Sequence, residues 1–239
     1  MAMEDSSGGR LISVLISPVK TFQSIAARPT WVAALLVLVL LGTGIGQIVN
    51  ARTDQRATIQ KTMAKFGQNP TEKQLDEAVE RASHPNPIVR VISVVVGLLF
   101  QAVFSLFPAF LFWLIFKVTG SEMSFKSGLS TYLHGSLPIA VAILLTIPVV
   151  LSRATVQPID ALTGGLLASS PAFLAPEGSS VALKAVLASF DVFNLWTIVL
   201  YVIGYRIVAR ASTAVAVSAA VLLFLLGMGV RVAGAAFFG

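Results

Sequence analysis

Apolar residues come along this chain in long unbroken blocks rather than at alternating positions. Five blocks, at about 31–49, 88–116, 134–151, 190–209 and 213–232, approach or exceed the roughly 20 residues an α-helix needs to cross a hydrocarbon core of about 30 Å. No water reaches a backbone N–H or C=O inside lipid, so a spanning segment bonds within itself as a helix or closes into a barrel. Barrel strands alternate lipid-facing and lumen-facing residues, and these blocks do not alternate. The pattern predicts an all-α, polytopic transmembrane bundle of five helices.

The segments between the blocks predict the rest. Within residues 10–28, Ser17-Pro18 reads as a helix start, with Ser17 as cap and Pro18 in the first turn. Val19, Phe22, Ile25 and Ala26 then share one face, away from Lys20, Gln23 and Ser24. This N-terminal amphipathic helix either lies among lipid head groups or packs as an elbow on the bundle. Residues 1–30 are therefore a tail plus an interfacial amphipathic helix, and 31–239 a five-span membrane domain. The first residues carry Glu4 and Asp5 and no cation, and the first long block is long enough to span, so no cleaved leader is expected.

Residues 50–87 form the main polar stretch and read as a helical hairpin outside the bilayer. Ile59, Met63 and Phe66 recur at helical spacing, and Asn69-Pro70 separates them from a second helix opened by a Thr71/Gln74 capping box. Leu75, Ala78, Val79 and Ala82 form its apolar side, with Lys73, Glu77 and Arg81 four apart on the solvated side. His84-Pro85-Asn86-Pro87 ends it. Pro108 is expected to kink the second span. Residues 117–133 read as a polar connector, and 152–184 as a Gly-, Pro- and Ser-rich loop whose apolar pieces are too short to span. Gly42 and Gly46 make a small-xxx-small pair suited to close helix approach.

Charge and composition narrow the chemistry. The 239 residues have a mean hydropathy of +0.84 and only 12% charged residues, about half the share usual in soluble domains. The net charge of +6 comes from 17 Lys and Arg scattered between apolar blocks, without the basic, aromatic-interleaved stripe of a nucleic-acid surface. Such cations mark topology and anionic lipid, so the bilayer is the expected partner and nucleic acid is not. The chain has no Cys, which removes thiolate chemistry and cysteine metal sites. His84 and His134 stand fifty residues apart, each without an adjacent acidic cluster, a poor metal constellation. No nucleophile elbow, phosphate loop or hydrolytic carboxylate pair is present, so neither enzyme activity nor a cofactor is expected.

Candidate functional residues fall into two groups. Asp191, with Asn194 one turn on, opens the fourth span. An acid at a membrane boundary either contacts an ion or substrate or caps a helix start. Arg206 and Arg210, one helical turn apart at the far end of the same span, read as phosphate-contacting or carbonyl-capping residues, or as a contact for a partner's acidic surface. Lys20 and Arg28 before the first span are candidates for the same lipid or partner contact. A count of Lys and Arg on the two sides leans slightly against a cytoplasmic N-terminus, although most of the opposing cations belong to the hairpin.

Several pieces occur in an order that resembles the Yip1-domain family of five-span membrane proteins. They are Leu15-Ile16-Ser17-Pro18-Val19-Lys20-Thr21-Phe22 before Arg28-Pro29-Thr30-Trp31; Ser124-Phe125-Lys126-Ser127-Gly128-Leu129 with Tyr132 and Leu137-Pro138; and Ser189 to Trp196 with Leu200, Gly204 and Arg210-Ala211-Ser212. The resemblance implies a cytoplasmic N-terminus, a five-helix bundle, and residues 50–87 and 152–184 outside the cytoplasm. Eukaryotic relatives take part in vesicle trafficking and contact small prenylated GTPases. This chain looks more like the bacterial members, for which the resemblance implies an accessory or scaffold role in the cytoplasmic membrane, by self-association or beside a membrane-protein partner such as an ABC-type exporter. The alternative is a small transporter or channel subunit using polar residues near Asp191.

Overall fold

A computed structural model describes residues 7–238. The tail residues 1–6, which include Glu4 and Asp5, and Gly239 lie outside the described residues. All described elements are helical: α1 (Ser7–Ile16), α2 (Pro18–Ala27), α3 (Val32–Arg52), α4 (Gln55–Lys65), α5 (Glu72–Ser83), α6 (Pro87–Val118), α7 (Phe125–Gly135), α8 (Leu137–Ser152), α9 (Pro158–Thr163), a 3₁₀ turn (Pro171–Leu174), α10 (Val181–Ser189), α11 (Val192–Val208) and α12 (Thr213–Phe238). Four stretches are long and apolar enough to cross a membrane: α3, α6, α7 with α8, and α12. The fifth is the pair α10 and α11, bent by 45° at the break between them.

The spans match the apolar blocks, but the connectors hold more structure than their polarity predicts. The expected amphipathic helix is preceded by a second one, α1, and the two meet at Ser17. The Ser17 side chain makes no capping bond, while Pro18 does occupy the first turn. Phe22 and Ile25 are fully buried, whereas Val19 is half exposed. Helix α2 packs chiefly on α11, which is the elbow arrangement. The polar connector expected at 117–133 shrinks to 119–124. From Phe125 the chain is helical, and from Gly128 it is largely buried, including Ser130, Thr131 and His134. Their hydroxyls are answered by backbone carbonyls: Thr131 Oγ1 donates to Ser127 O (2.8 Å), Ser136 Oγ to Tyr132 O (2.8 Å) and Ser130 Oγ to Thr30 O before α3 (2.6 Å). His134 Nδ1 pairs with Ser130 O (2.8 Å), while its Nε2 has no partner. Helix α6 continues through Pro108 to Val118, and α12 runs to Phe238 rather than ending near residue 232.

Close helix approach also falls elsewhere than at Gly42 and Gly46. A Cβ on Gly46 would meet nothing within 4 Å, and one on Gly42 would meet only the side chain of Gln101. The tight places are Gly204, where a Cβ would lie 2.7 Å from Thr131 Cγ2 and 2.9 Å from Phe22, and Gly135, where it would lie 2.6 Å from the Tyr201 ring. These two glycines let α2, α7 and α11 meet at backbone distance. Beside them an aromatic cluster fills the same half of the bundle. Tyr205 stacks between Phe112 and Phe116 at 4.5 and 4.6 Å, and Tyr201 lies edge-on to Phe112 at 4.9 Å.

The hairpin forms as α4 and α5, with the Thr71/Gln74 capping box closed in both directions. Its ion pairs differ from those expected. Arg56 bridges Glu72 and Asp76 across the two helices, and these acids hold its guanidinium further into the charged range. Of its expected apolar side, Leu75 is buried, Ala78 and Val79 are partly covered, and Ala82 is exposed. The hairpin is tied to the second loop by a bridge between Thr53 and Val156, in which Val156 N donates to Arg52 O (2.8 Å). Arg52 itself donates to Arg153 O (3.0 Å).

Candidate functional site

The chain's alternating direction places α1, α2, the end of α6, the start of α7, the end of α11 and the start of α12 at one end of the bundle. Lys20, Arg28, Lys117, Lys126, Arg206 and Arg210 all lie there, and all are exposed. Glu122 is the one described acid at this end. Arg206 and Arg210 follow from the 3.6-residue turn of α11, and Arg210 leaves the helix at a positive φ of 53°. The carbonyl at this helix end is not capped by either arginine: Ala209 O accepts from Ser121 Oγ at 2.9 Å. The seventh cation of this end, Arg10, is buried. Its guanidinium donates to Arg28 O (2.7 Å), Thr30 Oγ1 (3.0 Å) and Ser24 Oγ (2.6 Å), pinning α1 to the turn before α3.

Asp191 and Asn194 sit at the opposite end, where α10 breaks into α11. The break arises because Asp191 is extended rather than helical and caps α11, its Oδ1 accepting from Phe193 N at 2.8 Å. Its Oδ2 accepts from Ser169 Oγ. The backbone of Ser169 serves the same break, its carbonyl accepting from Val192 N (3.0 Å), and Asn194 Nδ2 donates to Ser189 O (3.2 Å). The interrupted helix thus has its freed backbone groups answered by the loop beside it, the condition for irregular backbone at membrane depth.

Next to this break the bundle is not closed. A cleft of about 370 Å³ runs between α6, α8, α11 and α12, and a second of about 370 Å³ lies between α3, α8, α9 and α10. Asn194 and Arg231 stand on the wall common to both. Sequence reasoning missed Arg231 as a site residue, although the signal was present: it is the one charged residue in the fifth apolar block. Its guanidinium donates to Ala188 O at 3.0 Å. Two buried hydroxyls facing these clefts, Thr197 in the first and Ser170 in the second, have no hydrogen-bond partner. Among the described residues no group of three or more His, Cys, Asp or Glu could hold a metal.

Four apolar spans, with the bent pair α10 and α11 as a fifth, define a multi-pass α-helical membrane protein. A family model for the Yip1 domain matches residues 12–232, running through the hairpin and the second loop as well as the spans. The chain belongs to the Yip1 domain family, whose members are membrane proteins not known as enzymes. No curated protein and no solved structure matches the chain.

Proposed function

We propose that this chain is a non-enzymatic accessory or scaffold protein of a bacterial cytoplasmic membrane. Its N-terminal end faces the cytoplasm, and it supports a larger membrane complex, an ABC-type exporter being the partner class. The observation that carries this reading is the gathering of exposed cations at one end, where Lys20 and Arg28 come from α2 and its end and Arg206 and Arg210 from the end of α11, far apart in sequence. Such a face suits the cytoplasmic leaflet, whose anionic lipids attract juxtamembrane Lys and Arg by about 1 kcal/mol each. It equally suits an acidic partner surface beside that leaflet.

Affinity capture of a tagged copy from native membranes tests the role. Recovery with one transporter complex is expected, and recovery should fall when Lys20, Arg28, Arg206 and Arg210 are all changed to Gln. Recovery of the protein alone overturns the reading. The chain lacks Cys, so single cysteines test orientation directly. In intact cells an impermeant maleimide should label Gln68→Cys in the hairpin and spare Ser124→Cys at the basic end.

The cleft supports a second reading, a small transporter or channel subunit. Both carboxylate oxygens of Asp191 are engaged locally, which favours a structural role for that residue. Flux into liposomes that disappears in Asp191→Asn would replace the accessory reading.

A further inference from the structure

We infer that the cleft between α6, α8, α11 and α12 is a binding site for an anionic amphiphile, with the anionic head group on Arg231 and Asn194 and an acyl chain running inward toward Tyr201. This holds whether or not the chain has a protein partner.

The first reason is the cleft's charge. Among its described lining residues Arg231 is the one carrying a formal charge; neither Asp160 nor Asp191 faces it, both lying on the second cleft. No described carboxylate lies within salt-bridge reach of Arg231. Its one hydrogen bond, to Ala188 O, leaves other donors of the guanidinium fork available. Asp191 acts on Arg231 through space from the second cleft, with no ion-pair contact; on the first cleft the cation faces no carboxylate and is complementary to an anion brought by a ligand.

The second reason is an orphaned hydroxyl. Thr197 is 7% exposed, its Oγ1 has no partner, and it lines the same cleft one turn inward from Asn194. A buried polar group left unsatisfied costs free energy that a ligand oxygen can recover. The ester or hydroxyl oxygens next to a lipid head group lie where Thr197 points.

Shape supplies the third reason. From Arg231 to Ala220 the cleft follows α12 for eleven residues, about 16 Å of helix. Away from Arg231 its α12 wall is apolar, through Phe224, Leu223 and Ala220. Its volume of about 370 Å³ lies within the range of about 300–1,000 Å³ seen for small-molecule sites. The mouth opens sideways. Gly227 both lines the cleft and is exposed on the face of α12, and few contacts join α12 to α6. A ligand entering from the bilayer therefore need not leave lipid.

Gly227 also supplies the decisive variant, because a Cβ there meets nothing within 4 Å. Gly227→Leu fills the mouth without displacing a neighbour. The experiment uses the full chain in detergent, read by native mass spectrometry for bound lipid and by thermal unfolding. It is titrated separately with phosphatidylglycerol, phosphatidylcholine, lauric acid and inorganic phosphate. Expected is a saturable one-to-one adduct with phosphatidylglycerol or with lauric acid, the arm that binds identifying phosphate or carboxylate as the head group. Gly227→Leu should weaken it by about tenfold or more without lowering the ligand-free unfolding midpoint. Arg231→Gln should remove the preference over phosphatidylcholine by about tenfold, the worth of one charge-assisted pair, and Arg231→Lys should restore part of it. Equal binding of phosphatidylcholine, an adduct indifferent to Gly227→Leu, or stabilisation by inorganic phosphate alone overturns the inference. So does ion flux in liposomes that Gly227→Leu blocks.

Discussion

The two ends of this bundle treat charge and space in opposite ways. At the end where the N-terminal helices dock, the apolar core is filled: Phe112, Phe116 and Tyr205 are essentially inaccessible, and side chains of neighbouring helices press on Gly135 and Gly204. The hollow of about 680 Å³ at this end lies among largely exposed residues of the 119–124 connector and Arg210 to Ser212. Its cations, Arg10 apart, stand outside on the surface. At the other end the interior holds two clefts, an interrupted helix and a cation, Arg231, while the outer charges are mixed and partly paired through Arg56. The difference teaches that the apolar core is packed at one end and interrupted by clefts at the other. Stability should reside in the aromatic half, and binding in the half with the break.

Substitutions can break or sharpen that contrast. The largest effect is expected for Phe112→Ala, which removes a fully buried ring from the aromatic cluster and should cost about 3–5 kcal/mol. Met228→Ala, on the cleft wall, should cost far less. Denaturant unfolding of the detergent-solubilised protein measures both, and equal losses would abolish the contrast. Gly204→Ala comes next. It forces a methyl group against Thr131 and Phe22 and should cost about 1–3 kcal/mol. Gly46→Ala in open space should be neutral or gain up to about 1 kcal/mol from helix propensity. A smaller effect, about 1–2 kcal/mol, is expected for Asp191→Ala, which uncaps α11; Asp191→Asn keeps an acceptor and should lose less. Smallest is Arg56→Gln. Its ion pairs are solvent-exposed, and the unfolding midpoint should not move measurably.

What the sequence disclosed follows the same division. Long apolar runs announce spans because lipid leaves the backbone no alternative, and the Thr71/Gln74 box announces α5 because the cap is a local bond. The helix from Phe125 was less legible. Ser130 and Thr131 look like part of a solvated connector, yet both are buried with their hydroxyls on backbone carbonyls, Thr131 within its own helix and Ser130 on Thr30 O. The tight glycines were also hidden, since Gly42 and Gly46 have the recognisable spacing whereas Gly135 and Gly204 meet partners distant in sequence. Of the candidate residues, the four surface cations Lys20, Arg28, Arg206 and Arg210 lie at one end of the bundle. Asp191 and Asn194 reach the cleft wall region, but the charge between the clefts belongs to Arg231, whose position depends on how α12 packs on α10 and α11.

One small feature ties the outside of the molecule to its interior. The bond from Val156 to Arg52 joins the hairpin's base to the segment leading into α9. Lys65, at the end of α4, lies 5.1 Å from the Phe237 ring near the end of α12. Helix α9 carries Asp160 on the rim of the second cleft, and α12 carries Arg231. A body that grips the hairpin from outside therefore holds a segment in contact with both helices that carry charge to the second cleft.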